Sequence, residues 1–250
     1  MKGNENYSQD EIFRFLEQMQ RRVSERNPLL SSDSSEQEQF KNEIECFYIF
    51  NFLDNEVVFH NGMEQMFGHH FGQLKLNDIF DKYHPEDAPL LQRIIKATVD
   101  QFIDIPVPKY TNFLNVSYRF RKADSDYSRI LSNAFVFEND DKDLVKSVLI
   151  RYTDISFLDH SDIIEWTVNE DYLDKDKIWD KVYAPYKKLF TPRQKEIVLE
   201  ILKDKTNNQI ADSLHISKHT VTTHRKHIFK KSNTHNKEEL LVFCKRYGII

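Results

Sequence analysis

Hydroxyl and cationic side chains are concentrated near the end of the chain, in the stretch TNNQIADSLHISKHTVTTHRKHIFKK (206–231). On a helix that begins after Ser217, the outward positions are Lys218, Thr220, Thr222, Thr223, Arg225, Lys226, Lys230 and Lys231. Cations pair with phosphate oxygens, and cations and hydroxyl groups also reach the hydrogen-bond acceptors on base edges. This combination predicts an element that binds nucleic acid. A solvated basic face is the alternative interpretation.

Helix-start signals define the elements that position these side chains. Thr191-Pro192-Arg193-Gln194 combines an N-cap, a proline at the first helical position and a glutamine at the third. Thr206-Asn207-Asn208-Gln209 repeats the capping box, and Ser217 and Asn236 begin two further helices. Only residues 215–216 separate the second helix from the third. This is helix-turn-helix spacing, in which the second helix of the pair enters the major groove of DNA.

The charge of the chain is unevenly distributed. The net charge is −5, from 35 lysines and arginines against 40 aspartates and glutamates. Residues 187–250 hold 14 of the cations and 6 of the acids, a net +8, which leaves 21 and 34, a net −13, in residues 1–186. A basic segment joined to an acidic body is typical of a nucleic-acid-binding domain attached to a partner domain of another function.

Other chemistry finds little support in the sequence. Four histidines lie in or beside the basic helix: His215, His219, His224 and His227. They lack the His-Glu-x-x-His pattern and a nearby cysteine, so we predict no metal site, although a mild pH dependence of DNA binding stays open. Cys46 and Cys244 are far apart and have no partner at metal-ligand spacing. The chain has no nucleophile elbow and no glycine-rich phosphate loop, so we do not predict an enzyme.

The middle of the chain has the pattern of an antiparallel sheet interrupted by helices. Residues 44–60 predict a hairpin. Helices are predicted at 63–67, 76–83 and 88–102, and strands at 113–121, 127–138 and 144–154. Helices grouped between strands of one antiparallel sheet indicate an α+β fold.

The segments on either side of the sheet are predicted to be helical. Residues 10–23 carry an apolar stripe formed by Ile12, Phe13, Leu16, Met19 and Val23. This helix is expected either to dock on the following domain or to pair with its copy in a dimer. Residues 156–188 are predicted to form a helical linker, in which Trp166 and Trp179 are buried against a neighbour.

The middle segment resembles a PAS domain over residues 42–155. The resemblance depends on the order of the elements, on His84-Pro85-Glu86-Asp87 and on the closing Tyr152-Thr153-Asp154-Ile155. It implies a five-stranded antiparallel sheet with a small cavity between sheet and helices, used for ligand sensing or dimerisation. The helical segment 63–102 contains no cysteine, which separates it from the light-sensing flavin-binding members. We read His69, His70 and His84 as solvated or capping residues rather than ligands of haem or metal, and predict no cofactor.

The last segment resembles the LuxR-type helix-turn-helix family over residues 187–250. The matching stretches are FTPRQKEIVLEIL (190–202), NNQIADSLHISKHTVTTHRKHIFKK (207–231), and Asn236 with Glu239-Leu240. The resemblance implies that Thr222, Thr223 and Lys226 meet bases. It implies backbone or framing contacts for Thr191, Asn207, Ser217, Lys218, Thr220, His224 and Lys230. It also implies that the final helix, 237–247, contributes to dimerisation.

The chain departs from this family at two places. The family usually has a lysine at the position of Thr222 and a glycine in the loop between its first two helices. The corresponding loop here, Lys203-Asp204-Lys205-Thr206, contains no glycine.

These observations predict four parts. They are an N-terminal helix and linker (1–41), a PAS-like sensor domain (42–155), a helical linker (156–186) and an all-α LuxR-type domain of four helices (187–250). No apolar run reaches the roughly 20 residues that a membrane helix needs, and the N-terminus lacks the apolar core of a signal peptide, so we expect a cytoplasmic protein.

The predicted function is a bacterial transcription regulator that binds a palindromic site in double-stranded DNA as a homodimer. A small apolar ligand in the PAS-like domain and RNA polymerase are further expected partners, and a membrane is not. Two alternatives stay open: a redox sensor that holds haem or flavin, and a protein-interaction adaptor that does not bind DNA. The operator, the input signal and the sign of regulation do not follow from the sequence.

Overall fold

The computed structural model describes residues 9–26, 46–70, 74–158 and 161–249. The predicted linker at 27–39 and the first residues of the predicted hairpin lie outside them. The chain divides into two compact units, one within Asn6–Val182 and one over Tyr183–Ile250. They are called here the sheet domain and the helical domain.

The sheet domain begins with a helix and continues with the predicted alternation of strands and helices. Its helices are α1 (Gln9–Arg26), α2 (Met63–Phe67), α3 (Leu76–Phe80), α4 (Ala88–Phe102) and α5 (Lys175–Lys187), the last of which ends beyond the domain boundary. Its strands are β1 (Cys46–Asn51), β2 (Glu56–Asn61), β3 (Asn112–Arg121), β4 (Tyr127–Asn139), β5 (Val145–Asp154) and β6 (Glu165–Val168). The strands join in one antiparallel sheet of order β2-β1-β5-β4-β3-β6. The α+β prediction is therefore confirmed.

One detail of the prediction is wrong. The five strands predicted for residues 42–155 are β1 to β5, but residues 165–168 of the segment expected to be a helical linker add a sixth strand, β6, at the edge of the sheet. In β6, Trp166 and Val168 alternate with polar residues and lie opposite Val116 and Leu114 of β3. An alternation of only four residues gives a weaker sequence signal than the helical pattern on either side of it. The strand itself is stabilised by pairing with β3, whose edge would otherwise be open.

The tryptophans of this segment pack on each other. The rings of Trp166 and Trp179 stack at 5.7 Å between centroids and 25° between planes. Trp179 nevertheless stays 39% exposed, so the expectation that both are buried against a neighbour is wrong for this residue.

The inner face of the sheet is covered by helices. Leu90, Leu91 and Ile94 of α4 are fully buried against it. α1 packs in turn on α4, and Arg22 pairs with Asp104. The N-terminal helix thus docks on the domain that follows it, which is one of the two expected arrangements.

A buried ion pair fixes the start of α4. Asp87 is its N-cap residue and is completely buried. Its carboxylate accepts hydrogen bonds from the backbone N–H of Arg119 at 3.0 Å, from Nε at 3.1 Å and from Nη2 at 2.6 Å. These bonds raise the pKa of Arg119, although burial opposes them. The motif His84-Pro85-Glu86-Asp87 therefore ties α4 to the middle of β3.

The helical domain contains the four predicted helices. They are α6 (Pro192–Leu202), α7 (Asn207–Leu214), α8 (Lys218–Ser232) and α9 (Lys237–Arg246). Their apolar faces meet in one core of Phe190, Ile197, Val198, Ile201, Ile210, Ala211, Val221, Ile228, Leu240 and Cys244. Burial raises the pKa of the Cys244 thiol to about 12, so it stays protonated and serves as a core residue.

The loop between α6 and α7 forms its turn without a glycine. Asp204 has a φ of 62°, in the left-handed region. The backbone N–H of Lys205 donates to the Glu200 carbonyl at 3.2 Å, which closes the turn. Aspartate tolerates this conformation better than most residues, which is why the loop dispenses with the glycine usual in the family it resembles.

Candidate nucleic-acid interface

Capping bonds hold α7 and α8 as a rigid helix-turn-helix. Thr206 begins α7 with its hydroxyl accepting from the Gln209 N–H at 3.4 Å, and Ser217 begins α8 by accepting from the Thr220 N–H at 3.0 Å. His215 ends α7 in the left-handed conformation, at φ 53°. The turn then closes when the Ile216 N–H donates to the Ala211 carbonyl at 3.0 Å. The predicted caps are confirmed, and the turn fixes the direction in which α8 leaves.

α8 has one apolar face and one face of cations and hydroxyls. Val221, Ile228 and Ser232 are buried. The exposed residues are Lys218, His219, Thr222, Thr223, Lys226, His227, Lys230 and Lys231. Residues 218–232 contain no aspartate or glutamate, and within the described residues no carboxylate pairs with Lys218, Lys226 or Lys230. The helix therefore presents an uncompensated positive surface, as phosphate binding requires.

The two exposed threonines use their hydroxyl groups within the protein. Thr222 Oγ1 donates to the Lys218 carbonyl at 2.9 Å, and Thr223 Oγ1 donates to the His219 carbonyl at 3.1 Å. Asn207 of α7 donates from Nδ2 to Thr222 Oγ1 at 3.3 Å. Both threonines lie on the exposed face, and Asn207 joins the start of α7 to that face.

Two of the predicted outward cations are less free than the helical pattern indicates. Arg225 is half-buried, its guanidinium lies 5.7 Å from the centre of the Phe229 ring, and burial lowers its pKa. Lys231 donates from Nζ to the Leu189 carbonyl at 2.8 Å and to Gln194 Oε1 at 2.9 Å. Lys231 therefore braces the capping box at the start of α6.

The remaining candidates lie around this face. Thr191 is exposed at the start of α6, where its hydroxyl accepts from the Gln194 N–H at 3.2 Å. Thr220 is half-buried, with Oγ1 at 2.9 Å from Ser217 Oγ. His224 is half-buried on α8. The hydroxyl groups of Thr191 and Thr220 make capping contacts, so these two residues support the frame of the helix-turn-helix.

One bond that positions the interface was not predicted. Arg193, in the first turn of α6, donates from Nη2 to the Leu214 carbonyl at 2.5 Å. It thereby satisfies a carbonyl at the end of α7 that the helix leaves open. The contact joins residues 21 positions apart, so no local sequence signal announces it.

The sheet domain holds an apolar cavity of about 90 Å³ between sheet and helices. Its lining residues include Leu16 of α1, Phe102 of α4 and Ala134 of β4, together with Tyr48, Tyr83, Tyr118 and Ser132. Burial raises the pKa of all three tyrosines, so these phenols are neutral hydrogen-bonding groups. Across the described residues, no group of three or more His, Cys, Asp or Glu side chains is placed to hold a metal ion. No helix among them is long and apolar enough to cross a membrane.

Comparisons with known proteins place the last quarter of the chain in a family. Residues 188–244 match the model of the luxR family of bacterial regulatory proteins. Over 59 residues, the chain is 42% identical to an uncharacterized response regulatory protein, YgeK, of Escherichia coli K12. That match spans 24% of this chain and 40% of the relative, so it covers less than half of that protein.

Similar solved structures include VqmA of Vibrio cholerae, described as a LuxR-type receptor, at 12% identity and a TM-score of 0.35 over 87% of this chain and 89% of that chain. They also include the PAS domain of the fruit-fly ELK potassium channel, at 16% identity and a TM-score of 0.38 over 49% and 96%. The family match covers α6 to α8 and most of α9, including the basic face. Residues 188–244 are therefore a helix-turn-helix domain of the luxR family of bacterial regulatory proteins.

Proposed function

We propose that the chain is a transcription regulator that binds a specific site in double-stranded DNA as a homodimer. The observation that carries this proposal is the exposed face of α8, which bears lysines and hydroxyls, contains no acid and is held by a capped turn. The charge of the domain supports it, since +8 over residues 187–250 attracts a polyanion. A protein-interaction adaptor would not require so uniform a positive surface.

In the proposed complex the N-terminal half of α8 lies in the major groove. Thr222, Thr223 and Lys226 face base edges, because they are exposed on one side of that half. Phosphate contacts and support come from Thr191, Asn207, Ser217, Lys218, Thr220, His224, Arg225, Lys230 and Lys231. Arg225 and Lys231 act mainly by support, since the guanidinium of Arg225 is half-buried beside Phe229 and the ammonium of Lys231 is bonded to α6 and the residues before it.

The test begins by selecting binding sequences from a random duplex library with the full chain. On the selected duplex, Lys226→Ala is expected to weaken binding by about tenfold or more, as loss of a base contact does. Lys187→Ala removes the same charge outside the proposed interface and is expected to have a small effect. Equal, small effects of the two variants would contradict the groove geometry.

We propose that α9 contributes the dimer contact. Val242 is 38% exposed on this helix, so its apolar side chain is accessible to a partner. Replacing Val242 by Glu places a charge on that face, and is expected to shift the full chain toward monomer in sedimentation and to weaken binding to a palindromic duplex. A monomer–dimer equilibrium unchanged by this substitution would point to another dimer surface.

We also propose that the sheet domain binds a small uncharged molecule in its cavity. The lining is mainly apolar and includes the neutral tyrosines Tyr48, Tyr83 and Tyr118, which suits a small uncharged ligand. An engineered cavity of about 150 Å³ binds benzene, so at about 90 Å³ this cavity admits a smaller molecule unless its wall moves.

Thermal unfolding with 2-propanol as the probe tests this input, because 2-propanol is smaller than benzene and carries one hydroxyl group. The wild-type chain is expected to gain stability with 2-propanol concentration relative to the variant Ala134→Leu, because a ligand that binds only the folded state stabilises it. Ala134→Leu fills part of the cavity and is expected to abolish the gain. The same response in both proteins would place 2-propanol elsewhere.

A further inference from the structure

The chain departs from its family at Thr222, and the structure shows what this threonine does with its hydroxyl group. The hydroxyl proton is donated to the Lys218 carbonyl of the preceding turn at 2.9 Å. The same oxygen accepts from Asn207 Nδ2 at 3.3 Å. The hydroxyl is therefore engaged as donor and as acceptor inside the protein, although the residue as a whole is exposed. The part of this side chain that is free of hydrogen bonding is its methyl group.

We propose that Thr222 selects thymine through contact between its methyl group and the 5-methyl group of the base, and that Asn207 is the positioning residue that holds it. The inference rests on the proposed DNA-binding function. Thymine alone presents a methyl group on the major-groove edge, and a threonine methyl is a suitable apolar partner for it. Two hydrogen bonds to one oxygen fix the torsion about the Cα–Cβ bond, and hence the direction of the methyl group.

The proposal also predicts which base is disfavoured at this position. A lysine here would be suited to the O6 and N7 acceptors of guanine. Thr222 has no charge and no spare hydroxyl proton, so it gives guanine no matching donor and favours thymine.

Thr223 is the matched comparison on the same helix. Its hydroxyl also donates to the helix backbone, to the His219 carbonyl at 3.1 Å. No clamp from α7 like that of Asn207 on Thr222 is found for it among the described residues. Its hydroxyl keeps more freedom to accept from a base amino group, so Thr223 is the proper control for the effect of the clamp.

The experiment replaces each thymine of a duplex selected by the full wild-type chain, one at a time, with deoxyuridine, which removes only the 5-methyl group. At one thymine in each half-site we expect wild-type binding to weaken about fourfold, the value of one buried methyl group. Thr222→Ser keeps the hydroxyl and is expected to bind the thymine and uracil duplexes equally. Thr222→Val keeps a methyl group and is expected to retain the preference for thymine. Thr223→Ser is expected to retain the wild-type preference for thymine over uracil at the base that Thr222 contacts.

The positioning role of Asn207 is tested by the ratio of the affinities for the thymine and uracil duplexes. Asn207→Ala is expected to lower the thymine-to-uracil ratio toward one, while thermal unfolding of the variant verifies that it is folded. An unchanged ratio in folded Asn207→Ala removes Asn207 from the proposal.

The outcomes distinguish a failure of this inference from a failure of the proposed DNA-binding function. The inference is overturned if a duplex is selected but no thymine in it responds to deoxyuridine. It is also overturned if Thr222→Ser keeps the ratio while Thr222→Val loses it, because the hydroxyl would then be the reading group. If the random library yields no bound duplex, the DNA-binding proposal itself fails, and this inference with it.

Discussion

At the scale of single residues, the turn of the helix-turn-helix depends on a histidine in a conformation that favours glycine. His215 has a φ of 53°, a region that a side chain with a Cβ enters at some cost in free energy. We expect His215→Gly to raise the free energy of unfolding by about 1 kcal/mol, after allowing for the greater freedom of glycine in the unfolded chain. Chemical denaturation of the full chain measures the free energy of unfolding of the variant and of the wild type.

His227 supplies the control for this prediction. It is exposed in the interior of α8, where glycine is unfavourable, so His227→Gly is expected to lower the stability by about 1 kcal/mol. Two changes of the same sign would show that the backbone conformation at 215 is not what decides the effect.

Glu200 gives the helical domain a predicted pH dependence. Its carboxylate accepts from Lys203 Nζ at 3.0 Å and pairs with Lys205, and these bonds lower its pKa from 4.5 to about 2. A lowered carboxyl pKa contributes stability above the ordinary value, and this contribution is lost as the pH falls through the folded-state value. The melting temperatures of wild type and Glu200→Gln are therefore expected to differ at pH 7 and to converge between pH 4.5 and about 2. A difference that does not change with pH would indicate that the carboxylate charge is not its source.

At the scale of elements, the start of α4 depends on the buried pair of Asp87 and Arg119. Asp87→Ala is expected to lower the free energy of unfolding by about 3 kcal/mol, because Arg119 loses a fully buried partner and retains two exposed ones. Glu86→Ala removes one of the exposed partners, and its expected cost is below about 0.5 kcal/mol. Denaturant titration of both variants gives the comparison. Similar losses would mean that burial of Asp87 does not decide the effect.

The elements that the sequence predicts best are those with local chemical signals. The four helices of the helical domain begin at Thr191, Thr206, Ser217 and Asn236, where short-range capping bonds decide the boundary. β6 escaped prediction because its partner, β3, lies about 50 residues earlier, and its own four residues carry little signal. In the interface, periodicity identifies the exposed face of α8, but not the bonds from Asn207 to Thr222 and from Lys231 to Leu189, which join separate elements.

At the scale of the whole molecule, the opposed charges of the two parts predict a steep response to salt. If Lys218 and Lys230 each neutralise one phosphate in each protomer of a dimer, the logarithm of affinity falls with the logarithm of salt concentration with a slope of about −4. Lys230→Ala is expected to reduce this slope by about 2 per dimer. Lys142→Ala, in the acidic part of the chain, is expected to leave it unchanged. Titrations at several salt concentrations give the slopes, and a wild-type slope near zero would exclude phosphate contacts as the main source of affinity.

The position of Leu16 has a consequence for the molecule as a whole. This residue belongs to α1, yet it forms part of the wall of the cavity. Filling the cavity and docking of the N-terminal helix are therefore thermodynamically linked, and the linkage is reciprocal. A molecule small enough to fit beside Leu16 would stabilise the docking of α1. A larger molecule would compete with Leu16 for the same space and weaken that docking. The size of a bound ligand would then set the sign of the coupling.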